Sequence, residues 1–200
     1  MNMEKKFELT DNFIINAFGV KLFQIKCTKS FKYAKEGDLG GYVEKDENLD
    51  QESDAWVSGN AEVSGDAWVS GNAEVSGNAR VYGYAEVAGN ARVAGNAWVA
   101  GNARVAGNAW VSGNARVYGY AEIDNNNKHC GFDCFGSANR HTHAYLTKEN
   151  KVEITCGCFR GSIEEFEKRV EETHSGTIYE KQYKAIIDVI KIKFGLTDLI

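Results

Sequence analysis

Ala55-Trp56-Val57-Ser58-Gly59-Asn60-Ala61-Glu62-Val63-Ser64-Gly65-Asp66 opens a run of twelve six-residue units that ends, without a gap, at Ala121-Glu122-Ile123-Asp124-Asn125-Asn126. Every unit begins with Ala, and its third residue is Val except for Ile123. So strict a period takes precedence over any local propensity. Within a unit, Ala-x-Val alternates small apolar, variable and branched apolar, the two-residue period of a short strand with one buried face. The next three residues form a turn, in which Gly supplies a backbone without Cβ and Asn or Asp tolerates left-handed dihedrals. Six residues are too few for a strand, a helical crossover and a return. Successive strands therefore go round a solenoid instead of lying side by side.

Taken from its Val, the unit Val-Ser-Gly-Asn-Ala-x resembles the repeat of the hexapeptide-repeat family of left-handed parallel β-helices. That resemblance implies three hexads per triangular coil, hence four regular coils spaced like neighbouring strands, about 4.8 Å apart. A core of stacked Val and Ala specifies register poorly by side-chain size, and solenoid ends need caps. Gly37-Asp38-Leu39-Gly40-Gly41-Tyr42-Val43 followed by Asn48-Leu49 reads as the approach, with Leu49 starting an imperfect coil. Upstream, Phe7, Leu9, Phe13 and Ile15, then Val20 to Cys27 after a turn at Gly19, read as a β-rich cap. The expected fold is mainly β: an N-terminal β cap and entry coil over 1–48, a left-handed β-helix over 49–126 and a C-terminal α+β module with two helices over 127–200.

Eighteen residues per coil sort the outward second positions into three faces. One carries Trp56, Glu74, Arg92 and Trp110; the second Glu62, Arg80, Trp98 and Arg116; the third Trp68, Glu86, Arg104 and Glu122. Opposite charges neighbour one another along each ladder, a modest stabilisation. The corner beside the second face gathers every tyrosine of the repeat: Tyr82 and Tyr118 in one column, Tyr84 and Tyr120 in the next. Arg80, Trp98 and Arg116 stack alongside, a geometry for cation to ring contacts. Tyr, Trp and Arg enrich binding hot spots. This corner is expected to be an interface, either the homotrimer contact that the family resemblance implies or a surface for a partner protein; bulky ladders that merely cover coil edges are the plainer explanation.

Composition narrows the classes. With 43% hydrophobic residues the chain can bury a core. No apolar run reaches membrane-spanning length, and the charged start Met1 to Lys6 does not read as a secretory signal, so a soluble cytoplasmic protein is expected. A formal net charge of -5 with dispersed Lys and Arg lacks the basic face of a duplex nucleic-acid binder. The five cysteines, Cys27, Cys130, Cys134, Cys156 and Cys158, all lie outside the repeat, and an odd count argues for free thiols.

After Asn127 the period vanishes. Ser162-Ile163-Glu164-Glu165 and Thr177-Ile178-Tyr179-Glu180 both match a capping box. They predict helices from Ile163 to about Thr173, with Ile163, Phe166 and Val170 inward, and from Ile178 to about Phe194, with Tyr179, Tyr183, Ile186, Ile187 and Ile190 at helical spacing. Before them, His143 to Thr147 and Val152 to Cys156 read as strands turned by Lys148-Glu149-Asn150. The stretch Gly37 to Val43 and the tail Cys156-Gly157-Cys158-Phe159-Arg160-Gly161-Ser162 resemble a group of hexapeptide-repeat proteins encoded by phages and prophages. The resemblance implies a setting, a phage-infected or lysogenic bacterial cytoplasm, and no mechanism.

The best-known members of the hexapeptide-repeat family are trimeric acyltransferases that use a His as general base. Here no His occurs between Ala55 and Asn126 and no loop interrupts the coils, so the weak base candidates are His141 and His143. Cys130-x-x-x-Cys134, His141-x-His143 and Cys156-x-Cys158 hold enough N and S for a zinc ion. That spacing lacks the usual Cys-x-x-Cys knuckles, so these stand as weak metal candidates beside the simpler reading of small buried thiols. Two segments suit an anion: Gly136-Ser137-Ala138-Asn139-Arg140, through Ser137, Asn139 and Arg140, and Gly157 to Ser162, through Cys158, Arg160 and Ser162 at a helix start. The alternative there is turn-shaping glycines with Arg160 in a surface ion pair. Together these readings predict a non-catalytic trimeric scaffold without a cofactor, binding a small phosphorylated, nucleotide-like ligand or a host protein, with countering host defence as the role that the phage setting implies. An acyltransferase using acetyl-coenzyme A is the alternative.

Overall fold

The hexads fold as a left-handed parallel β-helix with a β cap at one end and an α+β module at the other, in a computed structural model that describes residues 5–196. Strands β4 to β15 are the two-residue segments at positions two and three of each hexad, from Trp56–Val57 to Glu122–Ile123. Residues eighteen apart pair in parallel. This builds the three ladders anticipated from the sequence, for example Glu62, Arg80, Trp98 and Arg116 and Trp68, Glu86, Arg104 and Glu122. Amides of one coil donate to carbonyls of the next, as Trp56 N does to Ala73 O at 2.9 Å and Ser58 N to Val75 O at 2.9 Å. The Ala and Val of each unit are buried between them.

The corners set how closely coils approach. Gly89 has φ +67°, a conformation that costs an L-residue roughly 1–2 kcal/mol, and a Cβ there would stand 2.9 Å from the amide nitrogen of Gly107 on the next coil. Gly113 has the same conformation, φ +68°, but lies on the last coil, where a Cβ would meet only an Asp133 oxygen at 4.0 Å. Asparagines line two corners as ladders: Asn60, Asn78, Asn96 and Asn114 link side chain to side chain at 3.1–3.2 Å, and Asn72, Asn90 and Asn108 at 2.9–3.0 Å.

At the N-terminal end, β1 (Phe7–Ile15), β2 (Lys21–Cys27) and β3 (Leu39–Val43) run antiparallel in that order, and β3 then pairs in parallel with Glu62–Val63. The first coil thus begins at Leu39, inside the expected entry segment and ahead of Leu49, and the solenoid has about five turns. Its register hides it from a six-residue search. Tyr42 pairs with Glu62 and Leu49 bridges Val69, twenty residues apart instead of eighteen, and the two extra residues lie in the loop after Leu49. Lys6 holds that loop: its ammonium donates to the carbonyls of Asp50 at 2.6 Å, Ser53 at 2.7 Å and Ala55 at 2.8 Å. Burial lowers the Lys6 pKa to about 8, and the three carbonyls supply the partners that a buried ammonium requires.

The C-terminal module is an antiparallel sheet of β16 (His129–Phe135), β17 (Arg140–Leu146), β18 (Val152–Cys156) and β19 (Phe159–Gly161), followed by α1 (Ile163–His174) and α2 (Ile178–Lys193). Both helices match their expected spans within a residue, and Ile163, Phe166, Val170, Tyr183, Ile186, Ile187 and Ile190 are buried; Tyr179 is only half-buried, against His174. Ser162 forms the full capping box, accepting from Glu165 N while Glu165 accepts from Ser162 N. Thr177 forms half of one, because the Glu180 carboxylate turns to the amide of Gly176. Strand β16 was not legible beforehand, since Gly131 and a bulge at Cys134, φ +64°, interrupt its alternation.

Strand β17 seals the prism. Ala144 joins the core under the helices, whereas Tyr145 joins the Val/Ala core of the coils. The Tyr145 hydroxyl accepts from the amide of Tyr118 at 3.2 Å and donates to the Glu153 carboxylate. Buried His143 stands 3.3 Å through Nδ1 from the carbonyl of Arg116, which also accepts from Thr155, and 3.0 Å through Nε2 from His129 Nδ1. A carbonyl only accepts, so the neutral His143 proton sits on Nδ1, its Nε2 accepts, and His129 donates from Nδ1.

Two predictions follow from this packing. Gly113→Ala costs about 1–2 kcal/mol from its dihedral alone, whereas Gly89→Ala costs distinctly more because the coils must also separate; equal losses in chemical denaturation would refute the corner-spacing account. Burial lowers His143 to about 3 and His129 to about 4, below the ordinary 6.5, so on acidification the unfolded chain protonates first. The stability that these neutral imidazoles contribute is complete above pH 6.5. It is lost as pH falls from 6.5 towards about 4, at about 1.4 kcal/mol per pH unit for each imidazole. A melting-temperature profile should steepen in that window, and His143→Gln should flatten it; an unchanged slope in the variant excludes the histidine pair as its cause.

Candidate functional site

Where the last coil meets the C-terminal module, Trp98, Arg116, Asn96 and Asn114 of the prism face Asn139, Arg140, His141 and Gly157 across a cavity of ≈ 370 Å³. The ladder explains why Arg116 is available. Arg80 is paired with Glu62 at 3.3 Å, Arg92 with Glu74 at 2.9 Å, and Arg104 with Glu86 at 3.2 Å. Arg116 neighbours Trp98 instead, with its guanidinium 4.9 Å from the ring centroid, while Arg80 covers the ring at 5.2 Å. Trp98 is thus sandwiched and orders Arg116 without a face to spare. A long 3.4 Å hydrogen bond to Gly157 O completes the Arg116 contacts.

Arg140 comes from the other side, at the start of β17, where its guanidinium lies across Gly157: a Cβ there would come within 2.8 Å of Arg140 Cδ and Nη1. Among the described residues neither Arg116 nor Arg140 has a carboxylate within ion-pair distance. The turn that presents Arg140 is fixed by Gly136 at φ +73° and Asn139 at φ +47°, with Gly136 N donating to Gln182 at 2.9 Å. Ser137 is exposed on that turn and does not line the cavity. His141 is held through Nδ1 by Asp133 at 2.7 Å, and its side chain is only 10% exposed. Its Nε2 is buried above Gly131 and has no hydrogen-bond partner among the described residues.

The second anticipated anion segment is engaged internally. Arg160 grips Glu153 with two hydrogen bonds of 2.7 and 3.0 Å, which raises its pKa. The start of α1 is occupied by its own Ser162–Glu165 box, with Glu164 on the Ser162 hydroxyl at 2.7 Å. Cys158 lies exposed at the rim of a different cavity. The cysteines are dispersed: Cys156 is buried under Thr142 and Tyr183, and burial pushes the Cys130 thiol up to about 11. Among the described residues no three His, Cys, Asp or Glu side chains are grouped to hold a metal.

The tyrosine corner divides in two. Tyr82 packs against Trp98 and against Phe18 at the tip of the β1–β2 hairpin, 5.2 Å between the Tyr82 and Phe18 ring centroids; burial lifts its pKa to about 12. Arg80, Tyr82, Trp98, Arg116 and Tyr118 are therefore partly buried contacts within one chain. Tyr84 and Tyr120, 68% and 65% exposed, remain outward beside Arg104 and Lys148.

Arg116 belongs both to this corner and to the junction cavity. One signal for the second role was present in the sequence: of the four repeat arginines it alone has no Glu next to it in its ladder. No family model matches this chain, and no curated protein sequence matches it.

Proposed function

We propose that the protein is a non-catalytic binding scaffold whose junction cavity takes a small phosphate-bearing anion between Arg116 and Arg140. The observation that carries this is the pair of guanidinium groups that converge on one cavity without a carboxylate. Elsewhere the chain neutralises its arginines with Glu, as at Arg80, Arg92, Arg104 and Arg160. Two arginine forks offer the planar donor geometry that phosphate oxygens accept, and the Asn96, Asn114 and Asn139 amides add neutral hydrogen-bonding groups. In isothermal titration with inorganic pyrophosphate, Arg116→Ala and Arg140→Ala should each weaken binding about tenfold or more. Absence of heat with the unaltered protein, or unchanged affinity in both variants, would refute the reading.

A second reading has one observation in its favour. The Asp133–His141 pair is the arrangement that orients a general base, as an acyltransferase needs. Its Nε2 is buried, however, and has no hydrogen-bond partner among the described residues. Acetyl-coenzyme A should therefore leave the melting temperature unchanged, and a shift with turnover would favour the enzyme.

The scaffold is proposed to act as a homotrimer through the outward tyrosines, in the phage or prophage setting that the sequence resemblance suggests. Light scattering should give about 66 kDa, three times the 22.1 kDa chain. Tyr84→Ala with Tyr120→Ala should lower it, since both residues are mostly exposed within one chain. A trimer that persists in the double variant moves these rings to contact with a different protein.

A further inference from the structure

The C-terminal module holds a second cavity, ≈ 200 Å³, between the β18–β19 turn and the two helices. Four aromatic rings run along it in continuous contact. Phe159 meets Phe166 at 5.0 Å between centroids, Phe166 meets Tyr183 edge-on at 5.6 Å, and Tyr183 stacks on His174 at 5.5 Å and 28°. Val170 completes an apolar floor, and Thr173 stands exposed at the rim. This wall is unlike the junction cavity, whose tryptophan is already sandwiched by arginines.

The two cavities share Arg140, and only the Cys156-Gly157-Cys158 turn separates them: Gly157 lines the junction, Cys156 and Cys158 line the aromatic cavity. Gly157 has φ +60° and no side chain, which lets the Arg140 guanidinium cross from one to the other. Together, ≈ 370 and ≈ 200 Å³ fall in the few-hundred Å³ range of small-molecule sites. A cationic pole beside an aromatic slot matches a ligand with a phosphate at one end and a flat heterocycle at the other.

We infer that the two cavities form one bipartite site for a nucleoside monophosphate, the phosphate between Arg116 and Arg140 and the base against the Phe159–Phe166–Tyr183–His174 wall. The inference rests on the anion-binding reading above and adds the base subsite to it. Stacking tolerates any base because each has a π face, so purines should bind somewhat better than pyrimidines without strict selection.

Isothermal titration with AMP, adenosine, ribose 5-phosphate and inorganic pyrophosphate tests it. AMP should bind at least tenfold tighter than ribose 5-phosphate. Thr173→Trp, which fills the slot from an exposed rim position, should reduce AMP to the ribose 5-phosphate level and leave ribose 5-phosphate unchanged. Phe159→Leu, which keeps apolar volume and removes one ring, should act in the same direction. Equal affinity of the unaltered protein for AMP and ribose 5-phosphate, or equal weakening of both by Thr173→Trp, overturns the base subsite and leaves the phosphate site standing. Failure of every phosphorylated probe to bind overturns both.

Discussion

The approach of one coil to the next at its glycine corners governs the rest of this molecule. Parallel backbone hydrogen bonds fix the coil spacing, and at Gly71, Gly77, Gly89 and Gly95 an added Cβ would stand within about 3.0 Å of the next backbone. The corners therefore admit glycine with positive φ, each unit closes in six residues, and the interior is left only as wide as Val and Ala require. Register follows from this repeat of corners. The side chains inside are too alike to define it, but a slip by one residue would put a residue with a Cβ, such as Ser58 or Asn60 beside Gly59, where a corner needs Gly. The same spacing sets the Asn ladders, in which each amide reaches the identical amide one coil on.

A lattice with one repeating cell has no intrinsic end, and exposed coil ends would present unpaired amides and carbonyls to a neighbour. Each end is closed by a polar group brought from outside the repeat. Lys6 supplies one ammonium to three carbonyls of the irregular first coil, and the Tyr145 hydroxyl takes the amide of Tyr118 on the last. Both are expensive groups to bury, and both are satisfied only when the cap is docked. That makes cap and coil interdependent. The histidine chain from His129 through His143 to the Arg116 carbonyl ties the second cap to the same residue whose side chain lines the junction cavity.

How much of this was legible in the sequence depended on whether a signal was local and periodic. The twelve hexads, the three ladders, the helix boundaries and the inward helix residues were all readable, because each is a repeat or a cap within a few positions. The first coil was readable as an entry segment but its register was not, since two inserted residues shift Leu39 to Leu49 from an eighteen- to a twenty-residue offset. Strand β16 was not, because Gly131 makes room for the rings of His141 and His143, a requirement set by residues on another strand. Among the anion candidates, Asn139 and Arg140 line the cavity, whereas Arg160 is neutralised by Glu153, a partner seven residues away across a turn that no motif announced. Pairing of that kind is decided in three dimensions.

A regular ladder also offers a rule for where function departs from structure. Along the prism every outward charge but one is answered one coil above or below, because neighbouring strands are close enough for Glu and Arg to meet and too close for like charges to be cheap. An arginine left unanswered at the last coil marks the position at which the lattice stops serving itself. Arg116 has a ring on its inner side, held in place by Arg80 beyond it, and open space on its outer side, where the C-terminal module brings Arg140 on a glycine-framed turn. Replacing Trp98 by Glu would extend the ladder's own logic by one pair and neutralise Arg116. The tryptophan placed there keeps the guanidinium ordered and leaves its charge available to the proposed anion.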